Sequence, residues 1–187
     1  TTDIEYKYPF GWGELWGIAD RTDYDLNTHM VHSGVDLRVV NPETNEKYLP
    51  YVIEPSVGID RLFLALLVNC YTKEKIGDND ERIVLKIKPF LAPYKVTILP
   101  LIKKVHGEEA TKIYQKLSKL YPCLYDESGS IGKRYRRSDA IGTPFVITID
   151  DNTINNKTVT LRNRDTMEQV TLKIDELEDY INKNLVM

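Results

Sequence analysis

Lys95-Val96-Thr97-Ile98-Leu99, closely followed by Glu108 to Leu120, decides the architecture of the longer half of the chain. The first stretch reads as a strand. The second carries Ala110, Ile113, Tyr114, Leu117 and Leu120 along one stripe, the spacing of an amphipathic helix. The alternation continues downstream. Cys123 to Tyr125 reads as a short strand, Ser130 to Ile141 as a helix with Ile131 and Tyr135 four apart, and Phe145 to Ile149 as a strand. Lys157 to Leu161 and Gln169 to Ile174 look like an antiparallel pair, and Leu177 to Leu185 closes as a helix. Strands alternating with helices predict an α/β layered domain, with a mixed sheet of about five strands flanked by helices.

Upstream the texture changes. Thr72 to Arg82 is charged, holds Gly77 and has no apolar period, so it reads as a surface excursion. Ile83 to Ile87 is β-prone, and Pro89 and Pro93 bracket a short rigid crossing. A domain boundary is expected near Lys88 to Pro93, dividing 1–90 from 91–187. Within the first part, Glu14 to Ala19, Val35 to Val40 and Tyr48 to Glu54 read as strands. Ile59 to Cys70 is apolar on nearly every face, which suits a buried helix. Pro55, Ser56 and Gly58 precede it, and Asp60 sits in its first turn, where the helix dipole favours negative charge. These strands have no obvious partners, so residues 1–90 read as part of a domain.

Composition limits the function classes. The 187 residues are 42% hydrophobic and 28% charged, with a net charge of -3. That supports a buried core and excludes a polybasic nucleic-acid coat, so any RNA or anion site must be a local patch. The longest apolar stretch, Leu62 to Val68, falls far short of the roughly 20 residues of a membrane span. Residues 1–20 show no basic segment leading into an apolar one, so no signal peptide is expected. Cys70 and Cys123 form no disulfide framework and fit a reducing cytosol, which predicts a cytoplasmic protein without a membrane partner.

Four segments carry chemistry. In Phe10-Gly11-Trp12-Gly13-Glu14-Leu15-Trp16-Gly17 the glycines beside Trp12 let backbone and ring approach a flat ligand; the plainer account is a strand-entry turn with core tryptophans. In Glu54-Pro55-Ser56-Val57-Gly58-Ile59-Asp60-Arg61 a carboxylate beside a hydroxyl suits a small ammonium group. Arg61, emerging from an apolar helix, suits an anion such as a triphosphate. A helix cap with a structural ion pair would account for the same residues. Gly129-Ser130-Ile131-Gly132-Lys133-Arg134-Tyr135-Arg136-Arg137 is the dense basic cluster, with a tyrosine able to stack on an unpaired base, or else a solvated helix face. Arg162-Asn163-Arg164-Asp165 before Thr166-Met167-Glu168-Gln169 is the fourth, readable also as a charged hairpin turn. His29 and His32 have metal-pair spacing on a helix but no third ligand, so no metal site is expected from them.

Taken together and in this order, these segments resemble the C-terminal half of class II glycyl-tRNA synthetases of the homodimeric type. Gly11 to Ala19 followed by Arg21-Thr22-Asp23-Tyr24-Asp25-Leu26 carries the specific part of the resemblance, and Glu54 to Arg61 looks like class II motif 3. Ala92-Pro93-Tyr94-Lys95, Gly129 to Arg137, Asp139, Ile141-Gly142-Thr143-Pro144 and Arg164-Asp165-Thr166-Met167 are similar to the anticodon-binding domain shared with threonyl, prolyl and histidyl enzymes.

The resemblance implies the end of an antiparallel-sheet catalytic domain over 1–90 and an anticodon-binding domain over 91–187. It implies ATP-dependent activation of glycine to glycyl-adenylate and transfer to the 3′ end of tRNA(Gly). Glu14, Leu15, Gly58, Ile59, Asp60 and Arg61 would lie at the ATP site, with Glu14 also at Mg²⁺. Glu54, Pro55, Ser56, Val57 and Gly58 would hold glycine. Lys133, Arg134, Arg136, Arg137, Arg162 and Arg164 would contact the anticodon. No catalytic nucleophile is expected, because adenylation relies on positioning and charge neutralisation. Motifs 1 and 2 have no counterpart here, so the chain is expected to be a fragment, inactive in adenylate formation alone, of a protein that is homodimeric at full length. A non-catalytic tRNA- or protein-binding module, or another class II synthetase sharing the anticodon-binding domain, are the alternatives.

Overall fold

The computed structural model describes residues 1–78 and 80–185. The chain divides into two compact units, Thr1–Val68 and Asn69–Met187.

In the first unit β1 (Thr2–Tyr8) and β2 (Gly11–Asp20) form an antiparallel hairpin. Gly11 turns it at φ 121°, a conformation that would strain any side chain. Helix α1 (Tyr24–Ser33) follows and ends on left-handed Gly34. It has no buried residue, and so it offers no apolar stripe by which the sequence would reveal it. The next expected strand, Val35 to Val40, contracts to β3 (Val39–Val40). Tyr48 to Glu54 resolves into two shorter strands, β4 (Lys47–Tyr48) and β5 (Ile53–Val57). β5 pairs antiparallel with β2, giving the order β1-β2-β5. Helix α2 (Ile59–Cys70) forms where expected, but it is not buried: Ala65 alone is, while Ile59 is 79% and Phe63 61% exposed. The hydroxyls of Tyr6 and Tyr8 donate to the carbonyls of Ala65 and Arg61, so the helix rests on the hairpin along one flank. Three strands offer too little surface to cover a helix that is apolar on nearly every side.

In the second unit Thr72 to Arg82 is a β-hairpin rather than an irregular excursion: β6 (Tyr71–Gly77) pairs with β7 (Asp80–Leu85). The inward positions of β7 are Arg82 and Val84, both buried. A charge standing where the period-two pattern calls for an apolar residue hides the strand in the sequence. A short 3-10 turn, Pro89–Leu91, leads on, held by Lys95 Nζ donating to the carbonyls of Pro89, Phe90 and Ala92.

The layered part comprises β8 (Val96–Pro100), α3 (Lys103–Leu117), β9 (Cys123–Tyr125), α4 (Ile131–Ala140), β10 (Phe145–Ile149), α5 (Asp151–Asn156), β11 (Thr158–Asn163), β12 (Gln169–Lys173) and α6 (Leu177–Asn184). The five-stranded sheet has the order β12-β11-β10-β8-β9. β8 runs parallel to β9 and β10, while β10, β11 and β12 are antiparallel, so the sheet is mixed as the alternation predicts. Val96, Ile98, Phe145, Ile147, Ile149, Val159 and Leu161 present one apolar face. Against it pack Ala110, Ile113 and Leu117 of α3 with Leu177 and Ile181 of α6. The opposite face meets α4, where the Tyr135 and Thr148 hydroxyls are 2.6 Å apart.

The units divide some way before the expected boundary at Lys88 to Pro93, and the hairpin explains why. Arg82 donates to Asp139 and to the Arg164 carbonyl, tying β7 to α4 and β11. Leu85 and Ile87 crowd Gly142 so closely that a Cβ there would stand 2.9 Å from Ile87 Cγ2. The hairpin therefore belongs with the second unit.

Candidate functional site

In the first unit the β2–β5 register sets Ser56 opposite Gly17 and Glu54 opposite Ala19. Cross-strand partners share a sheet face, so the carboxylate and hydroxyl stand beside two residues with little or no side chain. A bulge extends this arrangement. Ile4 pairs with Trp16 and Glu5 with Glu14, leaving Leu15 as the extra residue. An inserted residue re-aims the side chains beside it. The Glu14 carboxylate consequently comes over Gly17, whose Cβ, if present, would lie 3.2 Å from Glu14 Oε1 and 3.6 Å from Asp3 Oδ1. Glu14, Glu54 and Ser56 thus share one face around a glycine, in the company of Asp3. Asp3 has no local sequence signal, because only the hairpin register brings it opposite Gly17.

Arg61 leaves the first turn of α2 and donates to the Glu14 carbonyl, joining residues 47 apart. Gly58 faces the Arg61 stem and Asp60 lies in the first turn, while Pro55, Val57 and Ile59 are exposed on β5 and the helix entry. Glu54 is only loosely held, 3.4 Å from Arg21 Nε. Arg21 instead forms a bidentate pair with Asp25, and its donated hydrogen bonds hold that carboxyl below the ordinary carboxylate range. Glu14 and Asp3 are oxygen donors of the kind Mg²⁺ takes, but among the described residues no three His, Cys, Asp or Glu side chains gather as they would around a metal ion. Trp12 and Phe10 are exposed at the hairpin turn, not in the core.

In the second unit the six expected RNA contacts separate into two groups. Lys133, Arg136 and Arg137 have the i, i+3, i+4 spacing that brings side chains to one flank of α4. Lys133 is exposed and has no ion-pair partner among the described residues. Arg136 donates to Asp80 at 2.6 Å and to the Glu81 carbonyl at 2.7 Å. Arg137 bonds Asp126 and the Ser128 carbonyl.

Arg134, Arg162 and Arg164 are corrected from surface contacts to buried structural cations. They are 5%, 6% and 1% exposed, and their guanidinium groups are engaged within the protein. Arg134 donates to the carbonyls of Gly129 and Pro100. Arg162 forms a bidentate pair with Asp139 and lies 5.1 Å from the centre of the Tyr135 ring, so that ring is already stacked. Arg164 pairs with Asp165 and donates to the Gly142 carbonyl. The segment around it is the turn joining β11 to β12: Asn163 Oδ1 accepts from the backbone of Asp165 and Thr166, and Met167 has φ 61°. The sequence reading missed Arg82, whose only signal was a lone arginine beside a β-prone run.

Residues 95–184 match the family described as Anticodon binding domain. Along nearly its full length the chain is similar to glycine--tRNA ligases. It is 56% identical to that of Clostridium acetobutylicum over 99% of this chain and 40% of that protein. It is 58% identical to the one from Clostridium tetani over the same shares. With the ligase of Ruminiclostridium cellulolyticum the identity is 59%, over 96% of this chain and 39% of that protein. The chain therefore spans about two fifths of the length of these curated relatives. The RNA binding domain of threonyl-tRNA synthetase from Cryptosporidium parvum has a similar fold, with a TM-score of 0.66 at 20% identity, covering 97% of this chain and 42% of that one. No helix among the described residues is long and apolar enough to cross a membrane. The chain is thus similar along nearly its whole length to part of the glycine--tRNA ligases, and its residues 95–184 match the model of the anticodon binding domain.

Proposed function

We propose that this chain is the part of a glycine–tRNA ligase that completes the glycine and ATP site and contacts the tRNA anticodon. The observation that carries the reading is the shared face of Glu14, Glu54 and Ser56 around Gly17. Glu54 and Ser56 hold the glycine ammonium by charge-assisted hydrogen bonds, on a face where their cross-strand partners, Ala19 and Gly17, carry little or no side chain. Arg61 lies toward the phosphate end of ATP, with Gly58, Ile59 and Asp60 beside it and Glu14 and Leu15 along the nucleotide. Mg²⁺, when bound at Glu14, supplies neutralisation of phosphate charge. The glycine carboxylate attacks the α-phosphorus and pyrophosphate leaves; a hydroxyl of the tRNA 3′ end then takes the glycyl group and AMP leaves. These side chains position and neutralise, and none becomes covalently bonded to substrate.

In the second unit Lys133, Arg136 and Arg137 contact the anticodon loop. The partners are thus glycine, ATP and tRNA(Gly), and the whole protein works in the cytoplasm as a homodimer. The test uses the full-length ligase that contains this chain and follows glycine-dependent ATP–pyrophosphate exchange. Glu54→Gln is expected to raise the KM for glycine roughly tenfold to a hundredfold, the worth of a charge-assisted hydrogen bond. A KM unaltered by Glu54→Gln and by Ser56→Ala would remove this face from the glycine site.

A further inference from the structure

Helix α4 and strand β7 enclose between them an open groove of about 760 Å³. Lys133, Arg136 and Arg137 line one wall; Asp80, Glu81 and Ile83 line the other. We propose that this groove takes the sugar–phosphate backbone of a single-stranded RNA segment, and that Asp80 competes with that RNA for Arg136. The inference rests on the reading of the second unit as an RNA-contacting unit, and it adds a second wall to the site.

The cationic wall is convergent, since residues three and four apart on a helix are neighbours. Lys133 offers an unshared charge at which a phosphate can first be held. Arg136 does not, because the carboxylate of Asp80 and the carbonyl of Glu81 already accept from it. A phosphodiester offers a planar guanidinium two acceptor oxygens, as a carboxylate can, and so can exchange with Asp80, which takes a single hydrogen bond from Arg136. The exchange is unobstructed: the side chains of Arg136 and Asp80 are 37% and 63% exposed, and an exposed ion pair holds weakly. Ile83, 46% exposed, provides an apolar surface for a ribose or the face of a base.

Anchoring keeps the two walls facing each other. Arg82, two residues from Asp80, is buried and donates to Asp139 at the far end of α4. The hairpin therefore holds its acidic end against α4 in the absence of RNA. Asp80 lowers the affinity for any polyanion and leaves Arg136 to RNA that engages Lys133 as well. It is a residue that tunes selectivity.

The experiment measures binding of this chain to a glycine-accepting tRNA transcript at several KCl concentrations. The proteins compared are the unaltered chain, Asp80→Asn, Arg136→Gln, the Asp80→Asn/Arg136→Gln double variant and Lys133→Gln. Asp80→Asn is expected to tighten binding two- to fivefold, the scale of an exposed ion pair. It should also steepen the log–log salt slope by up to about 0.7. In the Arg136→Gln background the same change is expected to do nothing. Equal tightening in both backgrounds would mean a general charge effect and overturn the competition. No effect of Asp80→Asn, where Arg136→Gln weakens binding, would overturn the groove and leave the reading of α4 standing. Indifference to both Lys133→Gln and Arg136→Gln would remove that reading, and this inference with it.

Discussion

The carboxylate of Asp139 accepts a hydrogen bond from Arg82, 57 residues earlier in the chain, at 3.1 Å, with both residues buried. The same carboxylate receives two further hydrogen bonds from Arg162, at 2.8 and 3.1 Å. One acid thus joins the β6–β7 hairpin, helix α4 and strand β11. Arg82 continues the chain of contacts to Glu74 and the carbonyls of Arg164 and Asp165. A buried charge is tolerable only when paired and fully hydrogen-bonded, and this network meets both conditions.

Asp139→Ala should be the most damaging single charge removal in the second unit. It leaves two buried arginines without the carboxylate they share. Breaking a buried pair from one side costs about 3–5 kcal/mol, whereas an exposed pair is worth at most about 1 kcal/mol. Urea unfolding of Asp139→Ala beside Glu108→Ala, which removes the surface partner of Lys112, makes the comparison. Similar midpoints for the two variants would contradict the network's role.

Glu74 gives the second unit an acid-sensitive point. A hydrogen bond from Lys86 is the largest influence on its carboxyl; burial opposes it, and the hydrogen bond and charge of Arg82 help to hold the carboxyl below the ordinary carboxylate range. At acid pH the folded state therefore binds fewer protons than the unfolded chain. The resulting stability is complete above the unfolded value of about 4.3 and is lost as pH falls through the lower folded value. Glu74→Gln is expected to cost about 1 kcal/mol at neutral pH and nothing at the acid end. Unfolding free energies of both proteins across that range, converging as the pH falls, would bear this out; parallel curves would not.

How much of this was legible follows from where the apolar residues lie. The sheet from β8 to β12 was readable because its strands and α3 obey their periods, with Ala110, Ile113 and Leu117 all buried on one stripe. The hairpin β6–β7 was not, since an inward arginine replaces the expected apolar residue and its partner lies 57 residues away. Helix α1 was hidden because it buries nothing. At the candidate site, Glu14, Glu54, Ser56 and Arg61 were found as residue types in suggestive company; the strand register and the bulge at Leu15 bring the first three to one face, while Arg61 on α2 reaches the Glu14 backbone carbonyl. Arg134, Arg162 and Arg164 misled because a dense basic sequence does not distinguish cations that face solvent from cations that hold the fold.

The thiol of Cys123 should be slow to react. It is half-buried beside the sheet core, and burial pushes its pKa up to about 11. Only the thiolate is a competent nucleophile, so its fraction at neutral pH falls about three hundredfold below that of an ordinary thiol near 8.5. Alkylation by iodoacetamide, followed by mass spectrometry of the Cys123 peptide, is expected to keep accelerating up to about pH 11. A plateau near pH 9 would show that the native environment does not penalise the charge.

Lys133 and Arg164 offer the sharpest contrast within the basic residues, because the sequence treats them alike and the structure does not. Lys133 is exposed on α4, whereas Arg164 is 1% exposed and bonded to Asp165 and to the Gly142 carbonyl. Lys133→Gln should leave the unfolding midpoint unchanged and weaken tRNA binding. Its log–log salt slope should decline by about 0.7, the share of one lost phosphate contact to a single strand. Arg164→Gln should do the reverse. It strips hydrogen bonds from a buried carbonyl and an acid at the β11–β12 turn, costing roughly 1–3 kcal/mol of stability, while the folded fraction keeps the salt slope of the unaltered chain. Measuring unfolding and salt-dependent tRNA binding on both variants separates the two roles. A reduced slope in folded Arg164→Gln would return that arginine to the RNA surface.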